Sequence, residues 1–122
     1  MTRVMVVDDA KAIRRAAKLF LEKEKIDVVE AEDGFSALAQ LRNEVADILF
    51  LDITMPRLDG YQTCILLRQM PEFENLPIIM LSGKDSAFDR AQGSMSGCTD
   101  YLTKPFTKET LIATVKKYAR LT

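Results

Sequence analysis

Histidine is missing altogether from this 122-residue chain. That excludes a phosphohistidine carrier and any metal site built on imidazole, so a phosphoryl donor, where one is needed, must come from outside. Cysteine is nearly as scarce. Cys64 and Cys98 are the only two, and in a chain of otherwise cytoplasmic character they read as small buried hydrophobes rather than as a disulfide. An excess of charge of one sign is also lacking: 17 basic residues stand against 18 acidic ones. Bulk charge therefore gives no reason to expect nucleic acid or a membrane surface as partner, and protein partners are expected instead. No apolar run is long enough to span a membrane. The opening apolar run is short and ends in Asp8 and Asp9 rather than in small residues, which is not the pattern of a signal peptide. A cytoplasmic chain of one domain, 1–122, is expected, burying roughly two-thirds of the surface its unfolded form would expose.

What is present is an alternation of strand-length apolar runs with amphipathic helix-length segments. The central stretch is 47–60, where Ile48, Leu49, Phe50 and Leu51 form an unbroken apolar run, Asp52 follows, and Met55-Pro56-Arg57-Leu58-Asp59-Gly60 makes a turn. A strand without polar alternation is buried on both faces, which is the habit of a central strand in a parallel sheet. Before it, strands are expected at 4–7 and 27–31. The first is followed by a helix with a core-facing stripe of Ile13, Ala16, Ala17 and Phe20, the second by a helix carrying Ala37, Leu38 and Leu41. After it come a helix at 61–69 with Cys64, Ile65 and Leu67, a loop bracketed by Pro71 and Pro77, and a buried strand at 78–81 ending in Ser82. Ser86 can cap the next helix, whose apolar positions Phe88, Ala91 and Met95 are few and whose interior holds Gly93 and Ser94. It should be the least stable helix. A short strand at 100–103, a turn at 104–106 and a helix capped by Thr107, with Leu111, Ile112, Val115 and Tyr118, complete five βα units. The fold expected is α/β, a five-stranded parallel sheet doubly wound with helices on both faces. The pattern leaves strand order open.

The chemistry-bearing residues stand at strand ends: Asp8 and Asp9 after the first strand, Asp52 at the third, Ser82 at the fourth and Lys104 after the fifth. In a parallel sheet they converge on one edge, where ligands bind in open α/β folds. Three crowded carboxylates repel one another unless a cation compensates. Oxygen-only ligands favour Mg²⁺. A carboxylate can also act as a nucleophile toward phosphorus, with metal and ammonium neutralising the transferring group and a hydroxyl such as that of Ser82 donating to it. Taken singly, each feature has a plainer meaning: Asp8 and Asp9 as a helix N-terminus, Asp52 as a turn former, Ser82 as a hydroxyl bonded to backbone, Lys104 as a surface lysine. Their recurrence in this order, each at a strand end, makes four coincidences improbable.

Val6-Val7-Asp8-Asp9, Leu51-Asp52 with Met55-Pro56 and Asp59-Gly60, Ile79-Met80-Leu81-Ser82 and Asp100 to Pro105 together resemble the receiver domains of two-component response regulators, over the whole chain. The resemblance implies a flavodoxin-like (βα)5 fold with strand order 2-1-3-4-5. It implies Asp52 as phosphoacceptor, Asp8 and Asp9 as the acidic pair, and Mg²⁺ held by Asp9, Asp52 and the Thr54 carbonyl, with Asp8 acting through water. Ser82 becomes the switch hydroxyl, Lys104 the phosphoryl-sensing cation, Tyr101 an aromatic rotamer switch, and the Lys104–Pro105 peptide is expected to be cis. A sensor histidine kinase is the implied donor, and a protein target is expected on the face formed by 86–119. With no output domain in view, signalling by a monomer through altered protein binding is expected, the only chemistry being its own phosphorylation and dephosphorylation. Two loops, Arg57 to Cys64 and Tyr101 to Phe106, look most like receivers of the type IV pilus chemosensory system that controls twitching motility. Ala10 stands where many members have Ser, and Cys98 where a small Ala is usual.

Two other classes share parts of this pattern. An aspartyl phosphatase or phosphotransferase normally carries a second acid two residues after its nucleophile, where this chain has Thr54. A flavodoxin-like cofactor binder would cradle a phosphate in its first loop, where Asp8 and Asp9 would repel it. Thr54 and Lys84, two residues beyond Asp52 and Ser82, are unsuited to orient a hydrolytic water, and slow loss of the phosphoryl group is expected. For Lys84, screening of the phosphate and a purely solvent-facing position remain equally open.

Overall fold

The computed structural model describes residues 2–83 and 87–119, and within these the strands and α-helices alternate. The strands are β1 (Arg3–Val7), β2 (Asp27–Ala31), β3 (Ile48–Asp52), β4 (Ile78–Ser82) and β5 (Asp100–Thr103). The helices are α1 (Lys11–Glu22), α2 (Gly34–Asn43), α3 (Gly60–Arg68), α4 (Ala87–Ser96) and α5 (Lys108–Ala119). All neighbouring strands pair in parallel, in the order β2-β1-β3-β4-β5. The order implied by the resemblance is the one found.

The unbroken apolar runs have a direct cause in this topology. Side chains alternate across a strand, and both sides of this sheet are covered. Val4, Val6, Ile48, Phe50, Ile79 and Leu81 pack against Ala17 and Leu21 of α1 and Leu111, Ile112 and Val115 of α5. Met5, Val7, Leu49, Leu51, Ile78 and Met80 meet Ala37 and Leu41 of α2 and Cys64 and Leu67 of α3 on the other side. Neither face of β3 can carry a polar group until the strand ends, and there Asp52 emerges.

The helix faces match the expectation in part. In α1 the buried positions are Ala17 and Leu21; Phe20 is half-buried and packs against the same core as expected, while Ile13 and Ala16 are half-buried. Ile65 of α3 faces outward at 45 % exposure, because Gly60, Thr63, Cys64 and Leu67 form the inner stripe. Met95 is 86 % exposed and Ala91 is exposed as well, whereas Gly93 and Ser96 face the sheet. Over 90–96, the part of α4 whose side chains are described, the inner face is thus small and polar. The expected cap Ser86 lies outside the described residues, as does the side chain of Phe88. The loop between Pro71 and Pro77 contains one 3-10 turn, Pro71–Phe73. Both cysteines are free, Cys64 buried and Cys98 half-buried.

Two ends are fixed by their own chemistry. Asp59 caps α3 through a reciprocal pair, its carboxylate accepting from the Gln62 N–H at 2.8 Å while the Gln62 side chain accepts from the Asp59 N–H at 3.0 Å. Thr107 caps α5, its hydroxyl accepting from the Thr110 N–H at 3.1 Å. Gly60 is required by space: a Cβ there would lie 2.4 Å from the Asp52 carbonyl oxygen. The start of α3 can therefore close down on the end of β3.

Candidate functional site

Where β1 and β3 lie side by side, their following helices leave to opposite faces, and the crevice beyond their C-terminal ends opens at that divergence. Asp8 leaves β1 fully buried. Its Oδ1 accepts from the Ala10 N–H at 2.8 Å and its Oδ2 from the Lys104 ammonium at 3.1 Å. Asp52, 3 % exposed, accepts from the same ammonium at 3.1 Å and from the Thr54 N–H at 3.3 Å. Asp9 is exposed and completes a trio in which one carboxylate oxygen of each residue lies within 4.8 Å of the others.

Lys104 reaches this point because the backbone carries it there. Its N–H donates to the Ser82 carbonyl at 2.7 Å, extending the β4–β5 ladder one residue beyond the strand, and the Lys104–Pro105 peptide that follows is cis. Ser82 is buried at the end of β4, one strand away from Asp52. Thr54 is exposed and touches the cluster through its N–H. Tyr101 is apart from the acids: its hydroxyl accepts from the Gly93 N–H at 3.0 Å beneath α4, and the Arg90 guanidinium lies 5.9 Å from its ring centre. A Cβ at Gly93 would come within 2.1 Å of that hydroxyl. Glycine at this position is what admits the ring. Lys84 lies outside the described residues.

Burial and the charge of Asp8 raise the Asp52 carboxyl to a pKa of about 6, against the lowering pull of the Lys104 ammonium and the Thr54 N–H. Burial alone would lower Lys104, but its hydrogen bond and attraction to Asp52, reinforced by Asp8, leave it raised. Because the folded carboxyl holds a proton that the unfolded one has already released, Asp52 makes the fold less stable as pH rises from about 4 to about 6. In metal-free buffer Asp52→Asn should therefore be more stable than wild type by about 2 kcal/mol at neutral pH and show no advantage at about pH 4. Urea titrations across that range check it; an advantage independent of pH would contradict the assignment.

Among the described residues the Lys104 ammonium touches two of the three carboxylates, Asp8 and Asp52, and the trio keeps surplus negative charge that a divalent cation would balance. Carboxylate oxygens, without sulfur or imidazole, suit Mg²⁺. Asp9 and Asp52 carry the groups best placed to hold it, since both Asp8 oxygens already accept hydrogen bonds.

Some participating residues were beyond sequence reasoning. Arg57 in the β3–α3 loop adopts a positive φ of 69° and donates to Asp33 at 3.0 Å, tying this loop to the start of α2. Arg14 of α1 donates to the Asp8 carbonyl at 2.7 Å. Nothing in local spacing marks either one.

The response regulator receiver domain family matches residues 4–116. Protein PilG of Pseudomonas aeruginosa is 51% identical over 116 residues, covering 95% of this chain and 86% of that protein. The alkaline phosphatase synthesis transcriptional regulatory protein PhoP of Bacillus subtilis is 39% identical over 118 residues, 97% of this chain but only 48% of that longer protein. Among solved structures, a chemotaxis protein of Vibrio cholerae superposes with a TM-score of 0.93 at 31% identity, covering 97% of this chain and 98% of that one. A Francisella response regulator receiver domain does so with a TM-score of 0.89 at 37% identity and 98% coverage of both. With the family matched across nearly the whole length and the fold shared throughout, this chain belongs to the response regulator receiver domains of two-component and chemotaxis-type signalling.

Proposed function

We propose that the protein is a phosphorylation-activated signalling switch that accepts a phosphoryl group on Asp52 from a sensor histidine kinase. The observation carrying this reading is the single Lys104 ammonium held 3.1 Å from both Asp8 and Asp52 at the mouth of the crevice. An ionised Asp52 oxygen attacks phosphorus; the new O–P bond forms as the donor's N–P bond breaks, and the imidazole leaves with the electron pair. Bound Mg²⁺ would supply positive charge to the phosphoryl oxygens. Lys104 would turn from the carboxylates to a phosphoryl oxygen, and Ser82, on the adjoining strand, would donate its hydroxyl to another. Asp9 with Asp52 and the Thr54 carbonyl would hold the ion, with Asp8 orienting Lys104. The chemistry extends no further than its own phosphorylation and dephosphorylation.

The output would be a change in protein binding. Ser82 drawn toward the phosphate frees space toward Tyr101, and α4, whose described part rests on Gly93 and Ser96, can shift in response. A target would read the 86–119 face. The likeness to PilG supports a role in a pilus-related chemosensory pathway, with control of twitching motility as its finer form.

Beryllofluoride with Mg²⁺, a mimic of the acyl phosphate, tests the coupling. Amide shifts should spread from Asp52 through Ser82 to Tyr101, α4 and α5. Shifts confined to the loops around Asp52 would contradict it.

A further inference from the structure

Helix α1 is preceded by Ala10, whose methyl group cannot cap it, directly after the two acids. Something else must hold that loop. The carboxylate of Asp8 bonds forward to Ala10 and across to Lys104, but the Asp8–Asp9 peptide itself is gripped from behind: Arg14, one turn into α1, donates from one terminal nitrogen to the Asp8 carbonyl at 2.7 Å. The same guanidinium donates through Nε to Glu30 on β2 at 3.2 Å, and its side chain is only 14 % exposed. A planar, forked cation satisfied at two points is locked in place, which a single ammonium could not be. Lys18 pairs with the same Glu30 at 3.8 Å, is 42 % exposed and makes no bond to the loop.

Resting on the phosphoryl-acceptor reading above, we infer that Arg14 is a positioning residue for the metal site: it fixes the peptide plane between Asp8 and Asp9 and thereby aims the Asp9 carboxylate at the ion. Charge and geometry make opposite predictions here. A cation beside a Mg²⁺ site repels the ion, so deleting it as a mere charge would tighten binding. Deleting it as a support would weaken binding, as loss of a hydrogen bond behind a metal ligand does.

The test is a Mg²⁺ titration of the full chain followed by amide chemical shifts, with no phosphoryl donor present. Arg14→Ala is expected to weaken binding about tenfold. Arg14→Lys keeps the charge and loses the fork, so it should also weaken binding, by a smaller factor; Lys18→Ala should leave it unchanged. Excess Mg²⁺ should restore acetyl phosphate labelling of both Arg14 variants to the wild-type extent. Unchanged or tighter binding in Arg14→Ala, or in Arg14→Lys where Arg14→Ala does not fold, overturns the inference. Failure of the wild type itself to bind Mg²⁺ would instead overturn the reading on which it rests.

Discussion

Lys104→Met is expected to lower the stability of the metal-free protein by about 3 kcal/mol, and added Mg²⁺ should restore most of the loss. Asp8 is fully buried and Asp52 is 3 % exposed. Among the described residues the ammonium between them is the cation that both carboxylates touch, at 3.1 Å each. Methionine preserves the stem but removes the charge, leaving two buried acids to face each other and the nearby Asp9. Breaking a buried ion pair from one side costs more than the pair contributes, because the desolvated partner stays behind uncompensated. Mg²⁺ binds the folded form and offsets that charge, so its effect on stability should be larger in the variant than in wild type. Asp52→Asn placed in the Lys104→Met background should recover part of the loss as well, a coupling of about 2 kcal/mol in the double-mutant cycle. Urea denaturation with chelator and with Mg²⁺ gives all the required values. A loss that is small and indifferent to Mg²⁺ would mean that the ammonium is not what balances the acids.

The strands were legible because their physics is local to the sequence. Burial on both faces removes polar residues from Val4–Val7 of β1, Ile48–Leu51 of β3 and Ile78–Leu81 of β4, and an acid or hydroxyl at the end of each run then stands out: Asp8, Asp52 and Ser82. The acidic trio with Lys104 followed from parallel topology alone. Helix faces were less legible. Ile65 and Met95 are apolar and suitably spaced, yet both point outward, since α3 buries Thr63 and Cys64 and α4 accommodates Tyr101 against Gly93. A partner that demands a small residue cannot be inferred from hydrophobic periodicity. The difference between a buried Asp8 and an exposed Asp9 was likewise invisible, because it depends on the Lys104 ammonium, 96 positions away in the chain. Arg14 and Arg57 are ordinary surface-type residues whose partners lie on other elements. Only the assembled sheet brings them together.

That Asp52 accepts a phosphoryl group is tested most directly by intact mass after incubation with acetyl phosphate. Asp52 ends the central, fully buried strand, contacts the Lys104 ammonium and lies within 4.8 Å of the other two carboxylates. No comparable convergence of a buried carboxylate, a cation and further oxygen ligands occurs among the other described acids. Preorganised charge and in-line access should make the reaction selective for this one oxygen. With Mg²⁺ the wild type should gain the mass of one phosphoryl group, and with chelator none. Asp52→Asn should gain none under either condition, while its stability shows that it is folded. Labelling of Asp52→Asn to the wild-type extent, or labelling of wild type that is indifferent to Mg²⁺, would contradict the account.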